Sequence, residues 1–486
     1  MENTKNISTS RVWEHFEEIC KIPRLSKLEK EIISHILEFA GKNNLEARRD
    51  EVGNVIIGKP ASAGMENRKT VVLQSHLDMV GEKDPSSSHD FTRDPIILVK
   101  EGEWIHATGT TLGADCGIGI AAQLVILEDR DLIHGPIECL FTVDEESGMT
   151  GAKYLKSGFM DADIFLNLDS EDEGELFIGC AGGIDTCGTF RFETQKPGTS
   201  SQGFKIRVGG LNGGHSGDEI HKSPGNSIKV LNRFLLHATN EFRISMALAD
   251  GGNMRNAIPR DAFAVFTVAE DKIEGLENYF RKFSDSIRTE LKDYEPDMYL
   301  ELERTDLPEK VISEQQQLVF LQTLRCIPHG VISWSETLEG IVETSTNLAS
   351  VKFEETDTAI VTTSQRSSLE SGKKIIADRV ARCFELGGAI VEHSDGYPGW
   401  TPNPDSEILN ITRLAYKDLF GQVPVVRAIH AGLECGLILE KYPGLDMLSF
   451  GPTIKGAHTP TERIHIGTTE KFWKLLLEVL YRIPEN

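Results

Sequence analysis

Five short segments carry acids and histidines where an apolar run gives way to a turn. The first, VVLQSHLD, closes on His76 and Asp78. In extended backbone, residues i and i+2 point the same way, so these two side chains can meet. A metal-bound imidazole usually gives its other N–H to a carboxylate, which fixes the tautomer. Asp115 lies in GTTLGADCGIGIAAQLVIL, a glycine-rich turn opening into an apolar helix, where an Asp also serves as an ordinary cap. Glu145 and Glu146 end IECLFTVDEESG. Adjacent glutamates read equally as solvated carboxylates, but after a buried strand they lie at the mouth of a sheet, where α/β ligand sites form. Asp169 ends DIFLNLD, and His458 sits in FGPTIKGAHTPTE. Each position alone has a plain structural explanation. Taken together, imidazoles and carboxylates in this number point to a metal centre.

Such groups need a rigid frame. The runs VVLQ (71–74), IECLFTV (137–143), DIFLNL (163–168) and DMLSF (446–450) lack polar alternation, as do strands buried on both faces of a largely parallel sheet. Ser26 and Glu29 read as a capping box for a helix carrying Ile32, Ile33, Ile36, Leu37 and Ala40, which Gly41 would end. A closing helix is predicted around 471–480. From about Phe190 to His393 the pattern changes. FKIRVGG, AFAVFTVAE and TAIVTTSQRS alternate, which predicts half-exposed antiparallel strands, with helices such as NSIKVLNRFLL covering the other side. The expected architecture is an α/β domain interrupted by an inserted α+β domain. The first part spans residues 1–186, the insert 187–395 and the return 396–486, entered near PGWTPNPDS.

Composition bounds the function. A chain of 486 residues is long enough for two or three domains. Hydrophobic content of 39% with 26% charged residues is that of a soluble globular protein. No apolar run approaches the ~20 residues that span a bilayer. The opening MENTKNISTSRVWEHF has no leader pattern, so a cytoplasmic location is expected. Eight scattered cysteines without a CxxC pair read as reduced thiols. A net charge of −24 with no basic patch argues against a nucleic-acid partner.

The stretches LQSHLDMV, TTLGADCGIGIA, TVDEESGMTGA, NLDSEDEGELFIGCAGG, GGHSGDEIH, NMRNAIPR, ETSTNLA, HAGLECG and GPTIKGAHTPTERIHI run in order over most of the chain. This series resembles the aminoacyl-histidine dipeptidases (cytosol nonspecific dipeptidases), within the two-zinc peptidases that include carnosinases and aminoacylases. The resemblance implies a zinc-peptidase catalytic domain with a mixed, largely parallel sheet, plus an inserted lid domain. It implies two zinc ions per subunit, with cobalt or manganese also compatible with such ligands. Asp115 would bridge the metals, His76 and Asp169 would complete one ligand set, and Glu146 and His458 the other. Glu145 would be the general base and Asp78 the partner of His76. The bond after the bridging Asp is expected to be cis. Cys116 departs from many relatives, which carry another small or polar residue there.

The implied reaction is hydrolysis of unblocked dipeptides of broad specificity, including those with histidine second. Two metals about 3.5–4 Å apart hold a water between them and lower its pKa towards neutrality, and Glu145 would take its proton. His215 in GGHSG resembles the donor to the oxyanion. Asn256 in NMRNAIPR and Arg366 in TTSQRSS match positions that grip the substrate carboxylate, assisted by backbone around Gly432 in HAGLECG. The alternatives are an aminoacylase-type deacylase, a scaffold that kept the fold without catalysis, and a hydrolase using Cys116 as nucleophile. A homodimer is compatible with the resemblance. In dimeric relatives with a smaller lid the histidine equivalent to His215 reaches the partner's site. Here the stretch between residues 270 and 343 is long enough for an extra subdomain, which predicts that His215 acts within its own chain.

Overall fold

Four of the apolar runs form the centre of one sheet in the computed structural model, which describes residues 8–485. The opening MENTKNI, read above for a leader, lies outside the described residues. Val71–His76 pairs in parallel with Ile137–Thr142 on one side and Ile164–Asn167 on the other, and Ile164–Asn167 pairs in parallel with Asp446–Ser449. Strands Val55–Lys59 and Glu46–Arg49 extend one edge antiparallel, and Glu175–Cys180 lies antiparallel beyond Asp446–Ser449. The result is a mixed sheet of eight strands with a parallel centre. Helix Ala114–Glu128, buried along almost its whole length, packs against helix Ser10–Cys20 and strand Val71–His76.

The four parallel strands run the same way, so the turns that follow them share one edge of the sheet. Just inside that edge each strand contributes a buried polar side chain. Ser449 Oγ donates to Asn167 Oδ1 (2.5 Å), Asn167 Nδ2 to Gln74 Oε1 (2.6 Å), and Gln74 Nε2 to Thr142 Oγ1 (3.0 Å) and to Glu434 Oε2 (2.6 Å). Buried polar atoms of this kind persist only when partnered. This crossbar ties the strand ends together one level beneath the turns.

The chain divides into two compact units, one of residues 1–179, 400–428 and 433–486, the other of residues 180–399 and 429–432. The second is therefore wider than the stretch 187–395 and takes in a short return segment. It is built on a nine-stranded sheet whose assigned pairings are all antiparallel. Helices Ser227–Phe242, Ile273–Leu291, Glu314–Cys326 and Glu370–Leu386 belong to this unit. Phe190, Phe204, Phe234, Phe266, Phe320 and Phe384 fill its core.

Two expectations need correction. The stretch 271–342 forms no extra subdomain. Its strand Tyr299–Thr305 pairs with Ser201–Gly209 in the same sheet, and Ile287 and Phe320 from its helices enter the same core. Amphipathic helices bury their apolar stripe on the nearest open sheet face, and here that face was already present. Nor do Ser26 and Glu29 form a capping box. The helix runs Lys30–Lys42 without a side-chain cap bond, and Gly41 lies inside it, while Asn44 takes the left-handed conformation beyond its end (φ 55). A bridge between Leu25 and Met79 brings Ser26 beside Asp78, and its hydroxyl donates there instead (2.8 Å).

Candidate active site

His76 is the last residue of its strand, and Asp78 follows by two. Asp169 follows Ile164–Asn167 by two, and Glu145 and Glu146 open the short helix Glu145–Gly148 after Ile137–Thr142. Asp115 sits at the start of the helix Ala114–Glu128, and its bond to Cys116 is cis. His458 lies in the loop beyond Asp446–Ser449, in the left-handed region at φ 62.

These side chains converge. His76 Nε2 lies 3.1 Å from Asp115 Oδ1 and 3.2 Å from Asp169 Oδ1. His458 Nε2 lies 3.2 Å from Asp115 Oδ2 and 2.9 Å from Glu146 Oε2. Asp115 thus stands between two sets of donors and turns a different oxygen to each. One proton on His76 Nε2 cannot serve both carboxylates well, and Asp169 Oδ1 and Glu146 Oε1 are buried with no hydrogen-bond partner. An uncompensated buried polar atom costs about 1–3 kcal/mol, and more when charged. Cations placed between these atoms would satisfy them all.

The electrostatics agree. Burial alone would lower His76, yet Asp169, Asp115 and Asp78 together raise it well above its ordinary value. Hydrogen bonds donated to Asp115 and Glu146 carry His458 up to about 11. Burial pushes Asp169 up to about 7 and Glu145 well above the carboxylate range, with neighbouring acids adding to both. Carboxylates crowded in a buried pocket resist ionisation unless positive charge is brought among them. The donor set therefore fits metal ions of the kind that accept imidazole and carboxylate.

Asp78 faces the other side of His76. Its Oδ1 lies 3.4 Å from Nδ1 and accepts the Glu145 N–H (3.0 Å), while Oδ2 accepts the Glu146 N–H (3.2 Å). Burial works against its charge, but His76, the Glu145 amide and Ser26 hold it down to about 2. Asp78 thus orients the histidine through its carbonyl (3.1 Å from Nδ1) as well as its carboxylate, which also pins the turn bearing Glu145 and Glu146. Cys116 Sγ donates to Leu168 O at 3.4 Å, and burial together with Asp169 pushes its thiol well above 9.

The second unit gathers the remaining candidates. His215 pairs through Nδ1 with Asp218 (3.3 Å) and lies beside Ala257 in an isolated bridge, and the Ser216 N–H donates to Asn256 O (2.8 Å). His215 and Asn256 are therefore neighbours. Arg366 is buried, its Nε lacks a partner, and its Nη1 donates to Tyr397 Oη (2.9 Å). Among the described residues, no carboxylate forms an ion pair with it. Gly432 packs on the ring of Tyr397, where an added Cβ would come within 2.8 Å. His430 shares a hydrogen bond with Ser345 Oγ (2.7 Å), and burial, with Arg366 adding, pushes it down to about 3.

Two positioning residues escaped the sequence reading. Glu462, buried in TPTERIHI, accepts the N–H groups of Leu112 (2.7 Å), Gly113 (3.0 Å) and Ala114 (2.8 Å), caging the turn that presents Asp115. Arg24 donates to Leu77 O (3.0 Å), Asp78 O (2.7 Å) and Gly113 O (2.5 Å), joining that turn to the His76 segment. Gly113 is at φ 71, and a Cβ there would meet the Arg24 guanidinium at 2.6 Å, so glycine is required. Membership of Glu462 in a motif-like stretch was the one available signal.

The model of the peptidase family M20/M25/M40 matches residues 72–482. The chain belongs to that family. It is 41% identical over 484 residues to the cytosol non-specific dipeptidase of Escherichia coli (strain K12), covering all of both chains. Among solved structures, the aminoacylhistidine dipeptidase of Vibrio alginolyticus superposes with a TM-score of 0.92 at 42% identity, over 99% of this chain and 98% of that one. A Staphylococcus aureus tripeptidase shares the fold at a TM-score of 0.57 and 17% identity, over 98% of this chain and 99% of its own.

Proposed function

We propose that this M20 chain is a cytoplasmic dinuclear metallopeptidase that hydrolyses unblocked dipeptides, with zinc as its metal and cobalt or manganese as substitutes. The observation that carries the reading is the placement of Asp115, one oxygen towards His76 and the other towards His458. In this reading His76 and Asp169 would hold one ion, Glu146 and His458 the other, and Asp115 would serve both. Bound there, the two ions would polarise the scissile carbonyl and lower the pKa of the attacking water. Asp78 keeps His76 in the tautomer that offers Nε2. Glu145 accepts the water's proton and passes it to the leaving amine, and its buried surroundings favour a proton acceptor of raised affinity. His215 donates to the oxyanion.

Arg366 receives the substrate's C-terminal carboxylate, with Asn256 and the backbone at Gly432 assisting. A buried guanidinium without a carboxylate of its own supports that role, because buried charges otherwise find partners. The second unit would serve as the lid. The deciding experiment is a panel of free dipeptides and N-acetyl amino acids, assayed with metal content measured on the same sample. Release of amino acids from free dipeptides only, lost with chelation, is expected. Turnover of the N-acetyl compounds instead would select the deacylase.

Metal affinity is expected to fall on acidification. His76 and His458 hold protons more tightly than an ordinary histidine of pKa ~6.5 while no cation competes. Each ring must lose its proton before it ligates, so affinity rises with pH and continues to rise above that value. Metal occupancy at limiting metal that stays level from about pH 5 to 8 contradicts histidine ligation.

For the lid, the stretch 271–342 enlarges the second unit's own sheet and core instead of forming a separate subdomain, and on that enlarged lid we propose that His215 completes the site of its own chain and that any homodimer forms elsewhere. Mixing Glu145→Ala with His215→Ala under subunit exchange is expected to restore nothing. Recovery of about a quarter of wild-type activity, the yield of one intact site per mixed dimer, would show completion by the partner subunit.

A further inference from the structure

We propose that Tyr397 is a second donor to the substrate's C-terminal carboxylate and sets the preference for a free C-terminus. The inference rests on the assignment of Arg366 to that carboxylate. The phenol oxygen accepts the Arg366 Nη1–H at 2.9 Å, so its own O–H proton must point elsewhere. A carboxylate seated against the guanidinium would be within reach of that proton, and no protein acceptor for the Tyr397 hydroxyl occurs among the described residues.

The backbone holds Tyr397 firmly. Its N–H donates to Gly183 O (2.9 Å), its carbonyl accepts from the Gly183 N–H (3.1 Å), and Lys373 Nζ donates to the same carbonyl (2.6 Å). The ring lies against two glycines. An added Cβ would approach the ring at 2.6 Å from Gly183 and 2.8 Å from Gly432. Gly183 is also the strand partner of Arg366. Tyr397 therefore joins three pieces of chain, the strand of Arg366, the strand of Gly183 and the segment of Gly432, and its hydroxyl stands where the first and last meet. A phenylalanine there would fill the same space and remove only the oxygen.

The test compares binding of a non-hydrolysable dipeptide analogue, its peptide bond replaced by a methylene–amine link, with binding of the same analogue as its C-terminal amide. Wild type, Tyr397→Phe and Arg366→Ala are measured by calorimetry as metal-loaded enzymes. In Tyr397→Phe the preference for the carboxylate over the amide is expected to fall about tenfold, the worth of one hydrogen bond to a charged group, while binding of the amide stays the same. A preference equal to wild type, including the case where both analogues weaken together, overturns the proposal. Arg366→Ala separates the two claims. If it keeps the preference, the carboxylate reading of Arg366 fails and this inference falls with it. If Arg366→Ala abolishes the preference and Tyr397→Phe keeps it, only the role of Tyr397 is lost.

Discussion

Glu145→Ala is expected to keep both metals and to lose about a hundred- to ten-thousand-fold in kcat, the range for a positioned general base. The turn that carries Glu145 is fixed through its backbone, by the bond of its N–H to Asp78, so truncating the side chain leaves Glu146 in place. None of the four contacts that His76 and His458 make with Asp115, Asp169 and Glu146 involves Glu145. Metal content by atomic spectroscopy and kcat on one dipeptide check the prediction together. Loss of metal in proportion to activity would make Glu145 a ligand and remove it as base.

Asp115→Ala has the larger reach. Both histidines meet the same carboxylate, and among the described residues no other carboxylate pairs with both. Removing it would take a donor from each ion and a negative charge from between them. Both ions are expected to be lost at concentrations that saturate the wild type, with activity below detection. A variant that keeps one tightly held ion would show that Asp115 serves a single metal. The contrast between the two variants, one loaded and inactive and the other empty, separates chemistry from assembly.

Much of this was legible in the sequence, for physical reasons that can be named. Residues 71–74, 137–143 and 163–168 read as buried strands because unbroken apolar runs have no solvated face, and the acids that follow them were conspicuous by position. Other features were not legible. Glu462 and Arg24 are charged residues in polar stretches, and such residues are usually solvated; only the folded chain shows them buried against peptide groups. Ser26 carries the right spacing for a cap, but a hydroxyl goes to the stronger acceptor within reach, and Asp78 comes within reach only through tertiary contact. The length of the stretch between residues 270 and 343 suggested a subdomain, but length says nothing of what its helices, Ile273–Leu291 and Glu314–Cys326, would cover. Local pattern gives the element, and long-range packing gives its partner.

The cage that Glu462 forms around the Asp115 turn also orders events during synthesis. His458 and Glu462 lie close together, hundreds of residues after His76, and leave the ribosome long after the strands they serve. Until then Asp115 has neither its second histidine nor the carboxylate that shapes its turn. On the proposed ligand set, a nascent chain without His458 would lack part of the site, so metal capture is expected only once the last strand of the parallel centre, Asp446–Ser449, has docked.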